Sequence, residues 1–136
     1  MERQQLISIA LEARERAYVP YSQFKVGSAL LGSDGTVYRG CNVENAAYGP
    51  TNCAERTALF RAIADGAQPK SFKAIAVVGD TSQPITPCGV CRQVLIELCS
   101  PDMPVYMANI NGDITETTVA ELLPGAFTSN DLNGGK

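Results

Sequence analysis

Phe72-Lys73-Ala74-Ile75-Ala76-Val77-Val78-Gly79 is an apolar run of strand length, interrupted only by Lys73. Such a run suits a central strand buried on both faces. Upstream of it, Cys53 to Asp65 places Leu59, Ala62 and Ile63 on one helical face, and Gly66 stands where a C-terminal cap belongs. Further upstream, Phe24 to Leu31 alternates as a strand does. Gly32-Ser33-Asp34-Gly35 marks a turn, and Thr36 to Cys41 returns as the second arm of a hairpin. Asn42 to Asn52 is a polar, turn-rich loop. Residues 3–17 predict an amphipathic first helix through Leu6, Ala10, Ala13 and Ala17, stopped by Pro20. Downstream, Pro84 and Pro87 punctuate a loop, and Cys88 to Cys99 predicts a helix with Val94, Leu95 and Leu98 towards a core. Pro104 to Ile110 predicts a strand, Asn111-Gly112-Asp113 a turn, and Ile114 to Thr117 a short strand. Thr118-Val119-Ala120-Glu121 is a capping box that opens a last short helix, stopped by Pro124-Gly125. Residues 128–136 are polar and predict a flexible tail. No repeat or linker divides residues 1–136, which read as a single domain. A hairpin feeding alternating helices and strands predicts an α/β fold, a mixed sheet with helices on both faces.

Composition narrows the chemistry. The chain has 136 residues, 45% of them apolar and 18% charged, an ordinary globular balance. It has no histidine, which excludes a Ser-His-Asp triad, a Cys-His dyad and an HExxH metal site. A general base must be a carboxylate, Lys, Tyr or Cys, and a transition-metal site must be built on cysteine. The formal charge is −3. Residues 1–100 carry 10 basic and 9 acidic side chains, and residues 101–136 one Lys and five acids. No basic run offers a track for nucleic acid phosphates. The longest purely aliphatic stretch, Ala74 to Val78, is too short to span a membrane. The first residues contain no apolar signal segment, so the chain reads as cytoplasmic.

Five cysteines remain: Cys41, Cys53, Cys88, Cys91 and Cys99. An odd number argues against a disulfide framework and for reduced thiols. Cys53-Ala54-Glu55-Arg56 opens one expected helix, and Pro87-Cys88-Gly89-Val90-Cys91-Arg92 opens another. Helices that follow strands of one sheet tend to begin at the same edge, so three thiolates can converge from two helix starts. Helix N-termini are positive and lower thiol pKa values, and Arg56 adds a further offset to the negative charge of three thiolates on Zn²⁺. Three protein ligands leave a fourth position open, as a catalytic zinc site requires. Glu55 could handle protons there, provided Cys53 sits at the helix start with the metal beyond the helix end. Simpler readings exist. With Asn52 as N-cap, Glu55 is a capping-box glutamate. Cys88 and Cys91 could be a redox pair, and Cys41 could complete a closed four-cysteine site. Asn42 and Glu44 fit ordinary turns. Phe24 and Phe127 fit a core, as Cys99 does.

Cys53-x-Glu55 followed by Pro87-Cys88-x-x-Cys91 matches the known zinc-deaminase signature, in which the glutamate is not a ligand. With Asn42-Val43-Glu44-Asn45-Ala46-Ala47-Tyr48 and Leu122-Leu123-Pro124-Gly125-x-Phe127, the chain resembles cytidine deaminases of the short, homotetrameric class with three cysteine ligands. The likeness runs from about residue 3 to residue 128. It implies a three-layer α-β-α sandwich with a mixed five-stranded sheet, and one Zn²⁺ per chain held by Cys53, Cys88 and Cys91. It implies Glu55 as the proton-transferring residue and Arg56 hydrogen-bonded to ligand thiolates. Asn42 and Glu44 would bind the ribose, Phe24 would pack beside the nucleoside, and backbone groups at Ala54 would read the base. Tyr48 and Phe127 would enter the site from neighbouring subunits. The implied reaction is hydrolytic deamination of cytidine and 2′-deoxycytidine in pyrimidine salvage.

Overall fold

The computed structural model describes residues 1–134. In chain order the elements are α1 (Arg3–Arg14), β1 (Val26–Gly32), β2 (Val37–Cys41), α2 (Ala54–Ala64), β3 (Phe72–Gly79), α3 (Gly89–Leu98), β4 (Pro104–Asn109), β5 (Ile114–Thr118), α4 (Val119–Leu122) and α5 (Ser129–Leu132). The strands form one mixed sheet in the order β2-β1-β3-β4-β5. Only the β3–β4 pair is parallel, and α3 is its crossover. None of the described helices is long and apolar enough to cross a membrane.

Alternation along β3 explains the layers. Ala74, Ala76 and Val78 meet α1, together with Ala29 and Ala108 from the neighbouring strands and Leu6, Ile7 and Ala10 from the helix. Ile75 and Val77 point the other way, with Leu30 and Val105, into a core shared with Leu59 of α2 and Leu95 of α3.

 The small residues on the α1 side let that helix lie close. At Gly27 an added Cβ would strike the backbone of Ala10 and Arg14. Gly40 plays the same part for α2 on β2, where a Cβ would meet the Ala58 nitrogen at 2.6 Å.

Register brings two helix starts together. Val26 pairs with Gly79 and Gly27 pairs with Cys41, so the end of β3 and the end of β2 lie at one edge of the sheet. The chain leaves that edge twice, once towards α2 and once towards α3.

The first helix is shorter than the expected 3–17. It stops at Arg14, because the next residues turn so that Tyr18 can bridge Val43, with Tyr18 N donating to Asn42 O. Phe24 stays outside β1. Gln23 takes a left-handed φ of 57°, and Phe24 N donates to the Ser22 hydroxyl instead of joining the sheet. Thr118 caps α4 as expected, accepting from Glu121 N. The segment read as a tail contains a single helical turn, α5, held by a Thr128–Asp131 capping box. Positions 135 and 136 of that expected tail lie outside the described residues.

Candidate metal centre and nucleoside site

Cys53 and Cys88 are the N-cap residues of α2 and α3, and neither side chain caps its helix. An N-cap is ordinarily an oxygen-bearing residue that satisfies a free backbone N–H. Here the two side chains turn to each other, with their sulfur atoms 3.7 Å apart. Cys91, one turn into α3, completes the group, and all three sulfur atoms lie within 4.8 Å of one another. The condition set by the sequence, Cys53 at the helix start, is therefore met. Glu55 consequently sits at the second helical position, and the Asn52 capping-box geometry does not form. Cys41 and Cys99 are outside the cluster.

Arg56 donates through Nη2 to the Cys53 sulfur at 3.2 Å, and its buried Nε has no hydrogen-bond partner among the described residues. The Cys53 thiol is pulled down to about 5, first by its hydrogen bond with Cys91 and further by Arg56, although burial opposes this. Cys91 is pushed in the opposite direction by that same bond and by burial. Burial also pushes the Glu55 carboxyl up to about 7, with the Cys53 charge acting in the same sense and Arg56 against it. Without a cation, the thiols divide into a thiolate and its proton-holding neighbour. A soft divalent ion allows all of them to ionise, so the donor set fits zinc.

A cavity of about 240 Å³ opens against this cluster. Phe24, Asn42, Cys53, Ala54, Glu55 and Cys88 all line it. Cys91 lies fully buried and Arg56 is partly buried. Glu44 and Tyr48 border a second cavity of about 330 Å³, with Tyr21 and Ser22. Tyr48 is 91% exposed and Phe127 56% exposed, and neither lines the cavity at the cluster.

The loop residues are already anchored. Asn42 accepts from Val26 N at 2.9 Å and donates to Phe24 O at 2.8 Å. Glu44 accepts from Tyr21 N, Ser22 N and the Ser22 hydroxyl, which hold its carboxyl below the usual range. The sequence reading omitted Ile85 and Thr86, which wall the cavity from the loop before α3. It also omitted Ser28, whose buried hydroxyl donates to Ala54 O at 2.7 Å. Pro84 and Pro87 signalled a loop there, but only the fold turns that loop towards the cluster.

Comparison with known proteins agrees with this geometry. The family model described as the cytidine and deoxycytidylate deaminase zinc-binding region matches residues 1–107. A cytidine deaminase of Sporosarcina psychrophila is 61% identical over 133 residues, 98% of this chain and 96% of that protein. One from Halalkalibacterium halodurans is 62% identical over 133 residues, 98% of this chain and 99% of that protein. The crystal structure of the cytidine deaminase from Burkholderia pseudomallei superposes with a TM-score of 0.92 at 58% identity, covering 93% of this chain and all of that one. Likeness of this extent reaches well beyond the short cysteine motifs, and the chain belongs to the cytidine deaminase family of zinc-dependent hydrolases.

Proposed function

We propose that this chain converts cytidine and 2′-deoxycytidine, with water, to uridine and 2′-deoxyuridine plus ammonia, as a cytoplasmic enzyme of pyrimidine salvage. The observation that carries this reading is Glu55, buried at the start of α2 beside Cys53, on the wall of the cavity that Cys88 also lines. In this reading Cys53, Cys88 and Cys91 hold one zinc ion. The ion supplies Lewis acidity that brings the pKa of water within reach of neutral pH. Arg56 holds Cys53 in place and offsets the excess negative charge of the cluster.

Glu55 accepts a proton from the water that attacks C4 of the base. It then delivers protons to N3 and to the departing amine, so the C4–N4 bond breaks with release of ammonia. A carboxyl raised towards neutrality can both take and return a proton. The Ala54 backbone reads the base, and Phe24 packs beside the nucleoside. Asn42 uses one donor and one lone pair on the protein, which leaves one of each for a ribose hydroxyl. Glu44 is held ionised by Ser22 and keeps acceptor capacity for a ribose hydroxyl. Tyr48 and Phe127, exposed and away from this chain's cavity, serve the sites of neighbouring subunits in a homotetramer.

The test is an ultraviolet time course with cytidine and with 2′-deoxycytidine, paired with measurement of released ammonia. Both nucleosides should lose absorbance in step with ammonia. Glu55→Gln should keep its zinc and lose turnover by about 10²–10⁴-fold, the usual scale of general acid–base catalysis. A variant that retained a tenth of wild-type kcat would remove Glu55 from the proton-transfer role.

A further inference from the structure

Away from the sulfur cluster, a cavity of about 560 Å³ lies where the end of α1, strand β2 and helix α2 meet. Arg16, Arg39 and Arg61 line it, from just beyond α1, from β2 and from α2 respectively. Glu12 is the one acidic residue of its lining. The ion pairs among the described residues are Arg3–Glu116 and Arg14–Glu15, so none of the three guanidinium groups has a carboxylate partner. The chain holds 14 acidic residues against 11 basic ones, so this clustering of unpaired arginines runs against its overall charge.

The walls suit a small anion. Arg61 Nη1 reaches Arg39 O at 3.5 Å, which lays the helix arginine across the strand. Gly40 contributes bare backbone to the lining, where the close approach of α2 admits no side chain. Thr57 adds a hydroxyl, which also donates to Cys53 O at 3.2 Å. Burial pushes the Cys41 thiol up, so it stays neutral and leaves the positive field intact. Guanidinium groups present paired donors that match the oxygens of a phosphate, and several around one concavity favour a dianion.

We propose that this cavity binds a phosphate-type dianion, either inorganic phosphate or the phosphate of a nucleotide, through Arg16, Arg39 and Arg61. The inference is independent of the nucleoside reaction. It is tested by titrating zinc-loaded protein with inorganic phosphate at constant ionic strength, reading heat and melting temperature. Saturable binding is expected, weakened at least tenfold in Arg39→Gln/Arg61→Gln and in Arg16→Gln, and unchanged in Arg3→Gln. Turnover of cytidine should be the same in all four proteins. The double variant should also melt no lower than wild type in low salt, because mutual repulsion has been removed. Adenosine 5′-monophosphate separates the two sources: binding at least tenfold tighter than phosphate identifies a nucleotide, and equal binding identifies the phosphate group alone. An equal response to chloride, or unaltered phosphate binding by the double variant, overturns the proposal. So does a double variant that changes subunit mass in sedimentation while phosphate affinity stays the same, since the cavity would then be a contact between copies.

Discussion

Helix α3 is bracketed by cysteines, with Cys88 at its N-cap and Cys99 at its C-cap. Cys99 and Cys91 are equally buried, both at 0% exposure. Their surroundings separate them. Cys99 lies in the apolar core with Leu95, Met103 and Val105, and burial alone pushes its thiol up to about 12. Cys91 shares a hydrogen bond with Cys53, near Arg56, at the positive ends of two helices. Burial alone therefore does not distinguish a packing cysteine from one placed for a metal; polar company and helix direction do.

The sharpest way to break this comparison is to truncate both thiols. Cys91→Ala should reduce zinc from one per chain to almost none and abolish turnover. Cys99→Ala should keep both and lose about 1–2 kcal/mol of stability, as a small core truncation does. Metal analysis and calorimetry of the two proteins check this, and equal zinc content in both would end the distinction. Arg56→Ala should come next in size. The loss of a group that orients a ligand costs about 10–100-fold in metal affinity or activity. Competition with a chelator reads that loss, and melting temperature should move far less.

A pH series sharpens the other end of α3. The Cys99 pKa is higher folded than unfolded, so above about 9 the unfolded chain releases a proton that the native state retains. Stability should therefore fall as pH rises from about 9 to about 12, with a limiting slope near 1.4 kcal/mol per pH unit from this group. Subtracting the Cys99→Ala profile isolates it, and parallel profiles would contradict the assignment. The smallest effects concern the caps. Thr118→Ala should cost about 1 kcal/mol by uncapping α4. Cys53→Ser should supply the missing N-cap oxygen, so the metal-free variant should melt slightly above metal-free wild type. Denaturation with and without chelator checks both.

The ends of α3 also show what was legible in the sequence. Cys53 and Cys88 stood beside turn-rich loops, so their places at helix starts could be read locally. The bounds of Phe72–Gly79 were equally plain, because a strand buried on both faces writes nearly its whole length in apolar residues, here with Lys73 as the exposed exception. The strand order depends on pairings distant in sequence, and no local pattern carries it. Phe24 kept the alternation of a strand while a left-handed Gln23 moved it off the sheet. Helix α5 left a readable signal in Thr128 and Asp131, a capping box within polar residues. The separation of Glu44 from the cavity at the cluster depends on how two loops fold over each other, which neither loop specifies alone.

Cys53 and Cys88 are 35 positions apart in the chain, with helix α2 and strand β3 between them. A bond through a shared ion acts on that interval as a tether. An ion that binds only the folded chain stabilises it by mass action, by about 2.7 kcal/mol when free metal stands at about a hundred times its Kd. Loss of the ion would therefore weaken the fold as well as silence the chemistry. The hydrolytic centre is also a clasp between the starts of α2 and α3, and the protein's lifetime in the cell should track the supply of its metal.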